Sequence, residues 1–397
     1  MKIFKFLAVA LVAMLGFAAC DKETEHIYDN HSADLVGTWS CLTENYAEVL
    51  IINADGSAVS YGVEDGEYWE NVKGTVTVKE NNITMIFEDD DNLTGHFDII
   101  PGQAFSLFED SGERYIYQYC ANDLSDEIVG MWVSFGNSSN EENNMFIQTF
   151  YENGKSTYTG FGEMDGEIVV KKESNYKVIG DVSFQEINGK YIAWKLSYSH
   201  NGTSLGDIMT NTNGDYTSTW LRIKQHLDLT GTTYDYSSAY VSNAKGKDED
   251  FTMLGHTFNM ANINAGNFDM MFRSELFCVD LNTNTITQHF LPANGQDVAI
   301  EIPITVEGNK VTLDLSTENP AYRKVDMYMF QDADNSQLHM YMHTNDFINY
   351  FANMELYNLL ASGEIDKTDA AAIEKVYTDM EARIESINVS FVFKARK

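Results

Sequence analysis

Hydrophobic and polar residues alternate in short runs over most of this chain, which is the period of a strand with one buried face. Glu48-Val49-Leu50-Ile51-Ile52, Gly74-Thr75-Val76-Thr77-Val78, Met145-Phe146-Ile147-Gln148-Thr149-Phe150 and Tyr191-Ile192-Ala193-Trp194-Lys195-Leu196 are rich in β-branched and aromatic side chains. Such side chains fit a pleated, half-buried surface. Between the runs stand Asp55-Gly56, Asp65-Gly66, Asn153-Gly154, Asp165-Gly166, Asn188-Gly189, Asn201-Gly202, Asn213-Gly214 and Asn294-Gly295. A type I′ hairpin needs positive φ at both central residues, which these pairs supply at least cost. So many close-set hairpins predict antiparallel meanders, hence barrels or sandwiches. Only 4 prolines interrupt them, as suits a chain in which nearly every backbone N–H is wanted in a ladder.

The phrase Leu35-Val36-Gly37-Thr38-Trp39 recurs as Ile128-Val129-Gly130-Met131-Trp132 and again as Leu229-Thr230-Gly231-Thr232-Thr233-Tyr234, with the glycines 93 and then 101 residues apart. That period is too long for a solenoid unit and suits a small all-β domain. Three tandem domains are therefore expected, over 34–122, 123–226 and 227–397. In the third, strands near 301–306 and 310–315 precede a hairpin that pairs 324–330 with 337–343. The period then changes. Phe347, Ile348, Phe351, Met354, Leu356, Leu359 and Leu360 fall on helical spacing, and the run stops at Ser362-Gly363. A second helix capped by Thr368 carries Ile373, Val376, Met380, Ile384 and Ile387. This helical hairpin, 346–387, is expected to pack its apolar face on one end or side of a barrel before 388–394 returns to strand.

The start of the chain has a different pattern. Lys2 and Lys5 precede an uncharged apolar run from Phe6 to Ala19, too short to span about 30 Å of hydrocarbon and suited to a cleaved signal peptide over 1–19. It ends in Phe17-Ala18-Ala19-Cys20, which resembles the lipobox of bacterial lipoproteins; that resemblance implies lipid on Cys20 and a membrane anchor. Phe17 stands where Leu is more usual, and an ordinary secretory signal is the alternative. Asp21-Lys22-Glu23-Thr24-Glu25 resembles the surface-export tag of Bacteroidetes lipoproteins or is a solvated tether, and 20–33 reads as a linker.

The formal net charge is -34, so nucleic acid and anionic membrane surfaces are repelled. Apart from Cys20 the cysteines are Cys41, Cys120 and Cys278. Cys41 and Cys120 lie near the two ends of the first domain, so a bridge between them and a set of buried thiols are both open.

Gly37-Thr38-Trp39 and Gly130-Met131-Trp132, each opening a small antiparallel meander, resemble the calycin group, which includes the lipocalins and fatty-acid-binding proteins. Tandem domains of this kind on a lipid-anchored chain are similar to the lipocalin-like surface lipoproteins of Bacteroidetes. The resemblance implies that each Trp lies across the closed end of its barrel under an Arg from the last strand, a cation–π contact. Arg114 is the residue so implied for the first domain and Arg222 for the second. The third domain departs from the pattern, with Tyr234 near the place of Trp. The fold class expected is mainly β, as tandem calycin-like barrels with the helical hairpin in the third domain; a generic β-sandwich is the competitor.

No nucleophile elbow, phosphate loop, dinucleotide fingerprint, His-Glu-x-x-His or zinc-spaced cysteine pair occurs, and no cofactor is expected. Carboxylate pairs suited to glycoside hydrolysis have no diagnostic force among 60 acidic residues. His339 and His343 would share a metal on a helix, but on a strand they stand about 13 Å apart. They are expected on an exposed sheet face. Glu88-Asp89-Asp90-Asp91-Asn92 and Asp332-Ala333-Asp334-Asn335 are read as solvated tips rather than calcium loops. Tyr61, Tyr68 and Trp69 cluster in one hairpin and Tyr234, Tyr236 and Tyr240 in another, as sheet aromatics or as stacking surfaces for sugar. The function expected is a non-enzymatic surface binding protein for a small apolar or glycan ligand. The alternatives are an interaction protein whose helical hairpin captures a protein partner through Phe347 and Phe351, and an envelope or glycan hydrolase.

Overall fold

A computed structural model describes residues 31–397 apart from 89–91, 136–142, 163, 204–205, 254–255, 275–276, 292–295, 318 and 333. The signal segment and Cys20 lie outside the described residues, as do most of the acidic run after Glu88 and the Asn294-Gly295 pair.

Three closed, eight-stranded antiparallel barrels follow one another along the chain. The first runs β1 (Gly37–Leu42), β2 (Tyr46–Ile52), β3 (Ser57–Glu64), β4 (Glu67–Lys79), β5 (Asn82–Phe87), β6 (Asn92–Ile100), β7 (Ala104–Glu109) and β8 (Arg114–Tyr119). The second runs β9 (Gly130–Phe135), β10 (Asn143–Phe150), β11 (Lys155–Gly162), β12 (Ile168–Ile179), β13 (Val182–Ile187), β14 (Lys190–Thr203), β15 (Gly206–Asn213) and β16 (Tyr216–Ile223). In the third, β17 (Thr230–Gly246) is followed by a small hairpin of β18 (Asp250–Met253) and β19 (His256–Asn259), then by helix α1 (Ala265–Ser274). The barrel resumes with β20 (Cys278–Asn282), β21 (Thr285–Phe290), β22 (Val298–Glu307), β23 (Lys310–Leu313), β24 (Val325–Gln331) and β25 (Gln337–Met342). Helices α2 (Thr344–Ser362) and α3 (Ala370–Glu381) precede β26 (Ile384–Ala395), which closes the barrel on β17.

By contact the chain parts into two compact units. The smaller holds the stretch ending at Trp39 together with Leu50–Ser60 and Asn71–Tyr119, and its core is Trp39, Ile83, Met85, Phe97, Phe105, Leu107 and Tyr117. The larger holds Ser40–Val49, Tyr61–Glu70 and Cys120–Lys397. Within it Ala47, Val49 and Val63 pack against Val182, Phe184 and Ala193, and Tyr68 stacks on Tyr191 at 4.5 Å between ring centroids. Tyr61 and Tyr68 thus pack against that core and Trp69 against Tyr46, all three half-buried.

Turn chemistry follows the sequence at some of the pairs and departs from it at others. Asp65-Gly66 and Asn188-Gly189 have positive φ at both residues, as type I′ requires. At Asp55-Gly56, Asn153-Gly154 and Asp165-Gly166 only the glycine does, because the Asp or Asn side chain accepts from the N–H two residues on and makes an Asx turn. Asn201-Gly202 is no turn, since β14 runs through it.

The α2 helix ends where its pattern predicts, with Gly363 at φ 76° donating to Leu359 and Leu360 carbonyls. The α3 helix begins one residue later than predicted, because Asp369 rather than Thr368 caps it, accepting from Ala372 N. It also ends early. Ile384 and Ile387 keep a helical spacing but join β26, where the long β17 offers a ladder partner out to Gly246 opposite Ile384. Helix α1 was not foreseen: ten residues with Gly266 and Asn267 in the first turn bury only Phe268, Met271 and Phe272, too short a stripe to read.

In an up-and-down meander alternate connections leave by the same end, so the insertions after β17 and after β25 cover one end of the third barrel. Phe268 and Phe272 of α1 meet Phe347 and Phe351 of α2 and Phe391 of β26 there. The expectation that Phe347 and Phe351 capture a partner is thereby corrected. Both are 0 % exposed, because the apolar face of α2 is spent on the barrel it plugs.

Candidate functional site

The closed ends of the first two barrels are built alike at tryptophan and differently above it. Trp39 and Trp132 are both fully buried, and each indole N–H donates to the carbonyl four residues back, Leu35 or Ile128, at 2.7 Å. In the second barrel Arg222 pairs with Trp132 in register, and its guanidinium lies 4.7 Å over the indole. Arg222 also donates to the Glu127 carbonyl and approaches Asp207 at 3.8 Å. Arg114 does not do this in the first barrel. It is exposed, lies 4.9 Å over Phe108 and donates to Ser106 Oγ at 3.3 Å. Trp39 is flanked instead by Phe105 and Tyr119, at 5.0 and 5.1 Å. A Cβ on Gly37 would stand 2.7 Å from the Tyr119 ring, whereas the atom nearest such a Cβ on Gly130 is Arg222 Nη1. Tyr119 therefore takes the place given to Arg114, five residues further along the same strand and without a charge to mark it.

Replacing Arg222 by Met is expected to cost the second barrel about 1–2 kcal/mol, since the cation–π contact and the bond to Glu127 go together. Arg114→Met is expected to stay within about 0.5 kcal/mol. Urea titration of the two variants checks this, and equal losses would refute the distinction.

The disulfide considered for Cys41 and Cys120 is absent, and Cys41, Cys120 and Cys278 are buried thiols. The Cys120 thiol lies among Lys195, Asp181 and Ser40 rather than against a second sulfur, and burial pushes it up to about 11. It is inert at neutral pH.

Inside the second barrel Gln148 of β10 donates to Gln185 of β13 at 3.0 Å, and Gln185 donates to Ser183 at 3.1 Å. Those two glutamines sit on non-adjacent strands, so they bridge the lumen. Trp194 Nε1 and Asn211 Oδ1 are buried without a hydrogen-bond partner among the described residues.

His339 and His343 are not on an exposed face, being 2 % and 1 % exposed. They do point out of their own barrel, as alternation requires, but the second barrel covers that face. Val133, Met145 and Phe161 pack with Phe330 and Tyr341, and Phe135 stacks on His339 at 5.7 Å. The Asp165-Gly166 turn docks beside them: Tyr328 OH donates to Gly166 O at 3.0 Å, and Asn345 N donates to Met164 O at 2.9 Å. A Cβ on Gly166 would stand 2.6 Å from the His343 ring. Burial pushes the His339 imidazole down to about 4. Burial also pushes Asp346, at the start of α2, up to about 7; Asp326 and Asp165 add to the rise, while the Asp326 N–H and Lys310 oppose it.

An open concave surface lies beside the cap of the third barrel. It is a cleft of about 520 Å³ between the second half of α2 and the turn before β24, with Tyr322, Tyr357, Leu360 and Ile365 on its walls and Asn319, Asp366 and Lys367 at its rim. The segment before β24 is tied to α2 and α3. Asn353 is buried and clasps the Arg323 backbone through both its amide groups, at 3.1 and 2.7 Å. Tyr377 OH donates to Asn353 Oδ1 at 2.6 Å. Arg323 lies 4.1 Å over the Tyr377 ring and reaches Glu374 and Glu381. None of these residues stood out in the sequence, because the cleft joins a loop and a helix end more than 30 residues apart.

Among the described residues no group of three or more His, Cys, Asp or Glu is placed to hold a metal ion. At the Asp332–Ser336 turn, Asp332 accepts instead from Gln337 N and Ser336 Oγ. No described helix is long and apolar enough to cross a membrane.

No family model and no curated protein matches the chain. Among solved structures it is similar to a double mutant of the vaccine antigen Transferrin Binding Protein B from Haemophilus parasuis, at 8% identity and a TM-score of 0.26, over 89% of this chain and 66% of that one. The isotype 1 Transferrin binding protein B of serogroup B Neisseria meningitidis matches over the same shares at 10% identity and a TM-score of 0.22. A DNA polymerase III β subunit from Thermotoga maritima matches at 9% identity and a TM-score of 0.15, over 94% of both chains. The chain thus spans just under two thirds of the first two proteins. Likenesses this distant carry no argument about function.

Proposed function

We propose that this chain is a non-enzymatic binding protein, held by lipid on Cys20 at the outer membrane and displayed at the cell surface, which meets its ligand on the cap of the third barrel. The cleft beside α2 carries the reading. It is concave, has apolar walls with a few polar rim groups, and falls in the size range of small-molecule sites. At the covered end of the third barrel, helices and aromatic side chains fill the interior.

The tether is tested in the host with radiolabelled palmitate. The wild-type chain is expected to take up label and pellet with membranes, and Cys20→Ser to lose the label and move to the soluble fraction. Label that persists in Cys20→Ser would refute acylation at this cysteine. A panel of chromogenic glycosides and esters is expected to stay uncleaved by the purified protein; turnover of any of them would overturn the non-enzymatic reading.

A second reading places a small polar ligand in the lumen of the second barrel, favoured by the unpaired Trp194 Nε1 and Asn211 Oδ1. It requires that Asn211→Leu abolish ligand binding, and full binding by that variant would remove it.

A further inference from the structure

We infer that the cleft between α2 and the Asn319–Tyr322 turn takes one neutral pyranose ring of a glycan chain. This rests on the proposed binding role and names the ligand class for the same site.

The two tyrosines set the chemistry. Tyr357 is 42 % exposed at the cleft although it sits on a helix whose opposite face is fully buried, and Tyr322 stands close enough to feel its hydroxyl. A phenol ring offers a flat face to the axial C–H groups of a sugar and a hydroxyl to its oxygens, so one residue type serves both halves of an amphipathic ring. Leu360 and Ile365 complete an apolar wall.

The rim supplies what a sugar needs beyond stacking. Asp366 accepts from both the N–H and the hydroxyl of Thr368, at 2.8 and 2.7 Å, so its carboxylate is oriented before any ligand arrives. Asn319 is likewise fixed, accepting from Ala321 N at 3.0 Å. Carboxylate, amide and the Lys367 ammonium together offer acceptors and donors to neighbouring hydroxyls. Preorganised groups of this kind lose little entropy on binding.

The alternatives fit less well. An anionic ligand meets the Asp366 carboxylate on a chain of net charge -34. An extended peptide adding a strand needs a free sheet edge, and the cleft is walled by a helix and a turn. A wholly apolar ligand would leave the rim carboxylate and ammonium desolvated without partners. An open cleft also suits a ring within a polymer better than an enclosed small molecule.

The test uses the purified full chain against immobilised gluco-, manno-, galacto- and xylo-oligosaccharides of four to six units, with sialylated and sulfated glycans alongside. At least one neutral series is expected to be retained, the charged ones not. Tyr357→Ala, at a half-exposed position where folding is undisturbed, is expected to weaken retention at least tenfold. Tyr357→Phe is expected to keep most of it, and Met270→Ala, an exposed control on α1, all of it. Retention of no neutral series overturns the sugar class. Aryl fragments or peptides that shift Tyr357 resonances in such a case would leave the cleft standing as a binding site with another ligand. Neutral glycans retained equally by wild type and Tyr357→Ala would sink the cleft itself.

Discussion

Phe268→Ala is expected to lower the stability of the third barrel by about 3–5 kcal/mol, the usual range for emptying a fully buried phenylalanine site. Phe268 is 0 % exposed and touches five rings, Phe272 on its own helix and Phe258, Phe347, Phe351 and Phe391 from three other elements. Those rings come from β19, α1, α2 and β26, so no single neighbour can move into the hole without leaving another contact. The cavity therefore persists, and the loss falls towards the upper end of the range. Phe268→Leu, which keeps most of the volume, is expected to cost no more than about 1.5 kcal/mol. Urea unfolding followed by near-ultraviolet circular dichroism reads both. A loss below 1 kcal/mol for the alanine variant would mean that α1 is not part of the plug.

The junction of the second and third barrels is expected to hold two buried groups whose opposite pH dependences cancel into a nearly flat wild-type stability profile. His339 has a folded value of about 4 against 6.5 in the unfolded chain. Its contribution is fully present above 6.5 and is lost as pH falls through 4, because the unfolded chain takes the proton first. A shift of this size corresponds to about 3 kcal/mol. Asp346 runs the other way, with a folded value of about 7 against 3.8. Its contribution is fully present below 3.8 and is lost as pH rises through 7, to an extent of about 4 kcal/mol. Between 3.8 and 6.5 the two slopes oppose and stability changes little.

Two variants separate them. His339→Phe, which can stack on Phe135 as the imidazole does, is expected to leave stability falling by about 4 kcal/mol from pH 4 to pH 7, the Asp346 slope no longer offset. Asp346→Asn, which keeps an acceptor for Asp326 N at the position now bonded at 2.9 Å, is expected to leave stability rising by about 3 kcal/mol from pH 4 to pH 6.5, the His339 slope no longer offset. Parallel stability curves for wild type and either variant across these windows would show that the group does not titrate in the folded protein.

Local pattern carried the architecture a long way. Alternation, hairpin pairs and the thrice-repeated opening phrase were enough for three antiparallel β domains, since strand period and turn chemistry act within a few residues. The end of α2 was legible for the same reason: Gly363 alone accepts the left-handed conformation that stops it. The third barrel's helix α1 was not, because three buried residues in ten carry too little periodicity.

What the sequence by itself determined is each barrel's inward face, many of its hairpin positions and the buried tryptophans of the first two, all consequences of spacing along one strand or one hairpin. Only the tertiary structure decided which outward faces meet water. His339 and His343 leave solvent because another barrel lies on them, Tyr119 displaces Arg114 above Trp39 because strand register selects the neighbour, and Ile384 leaves its helix because β17 reaches far enough to pair with it. The cleft beside α2 belongs to the same class. Each depends on residues distant in the chain, and free energy gained by covering a surface leaves no periodic mark in the residues that are covered.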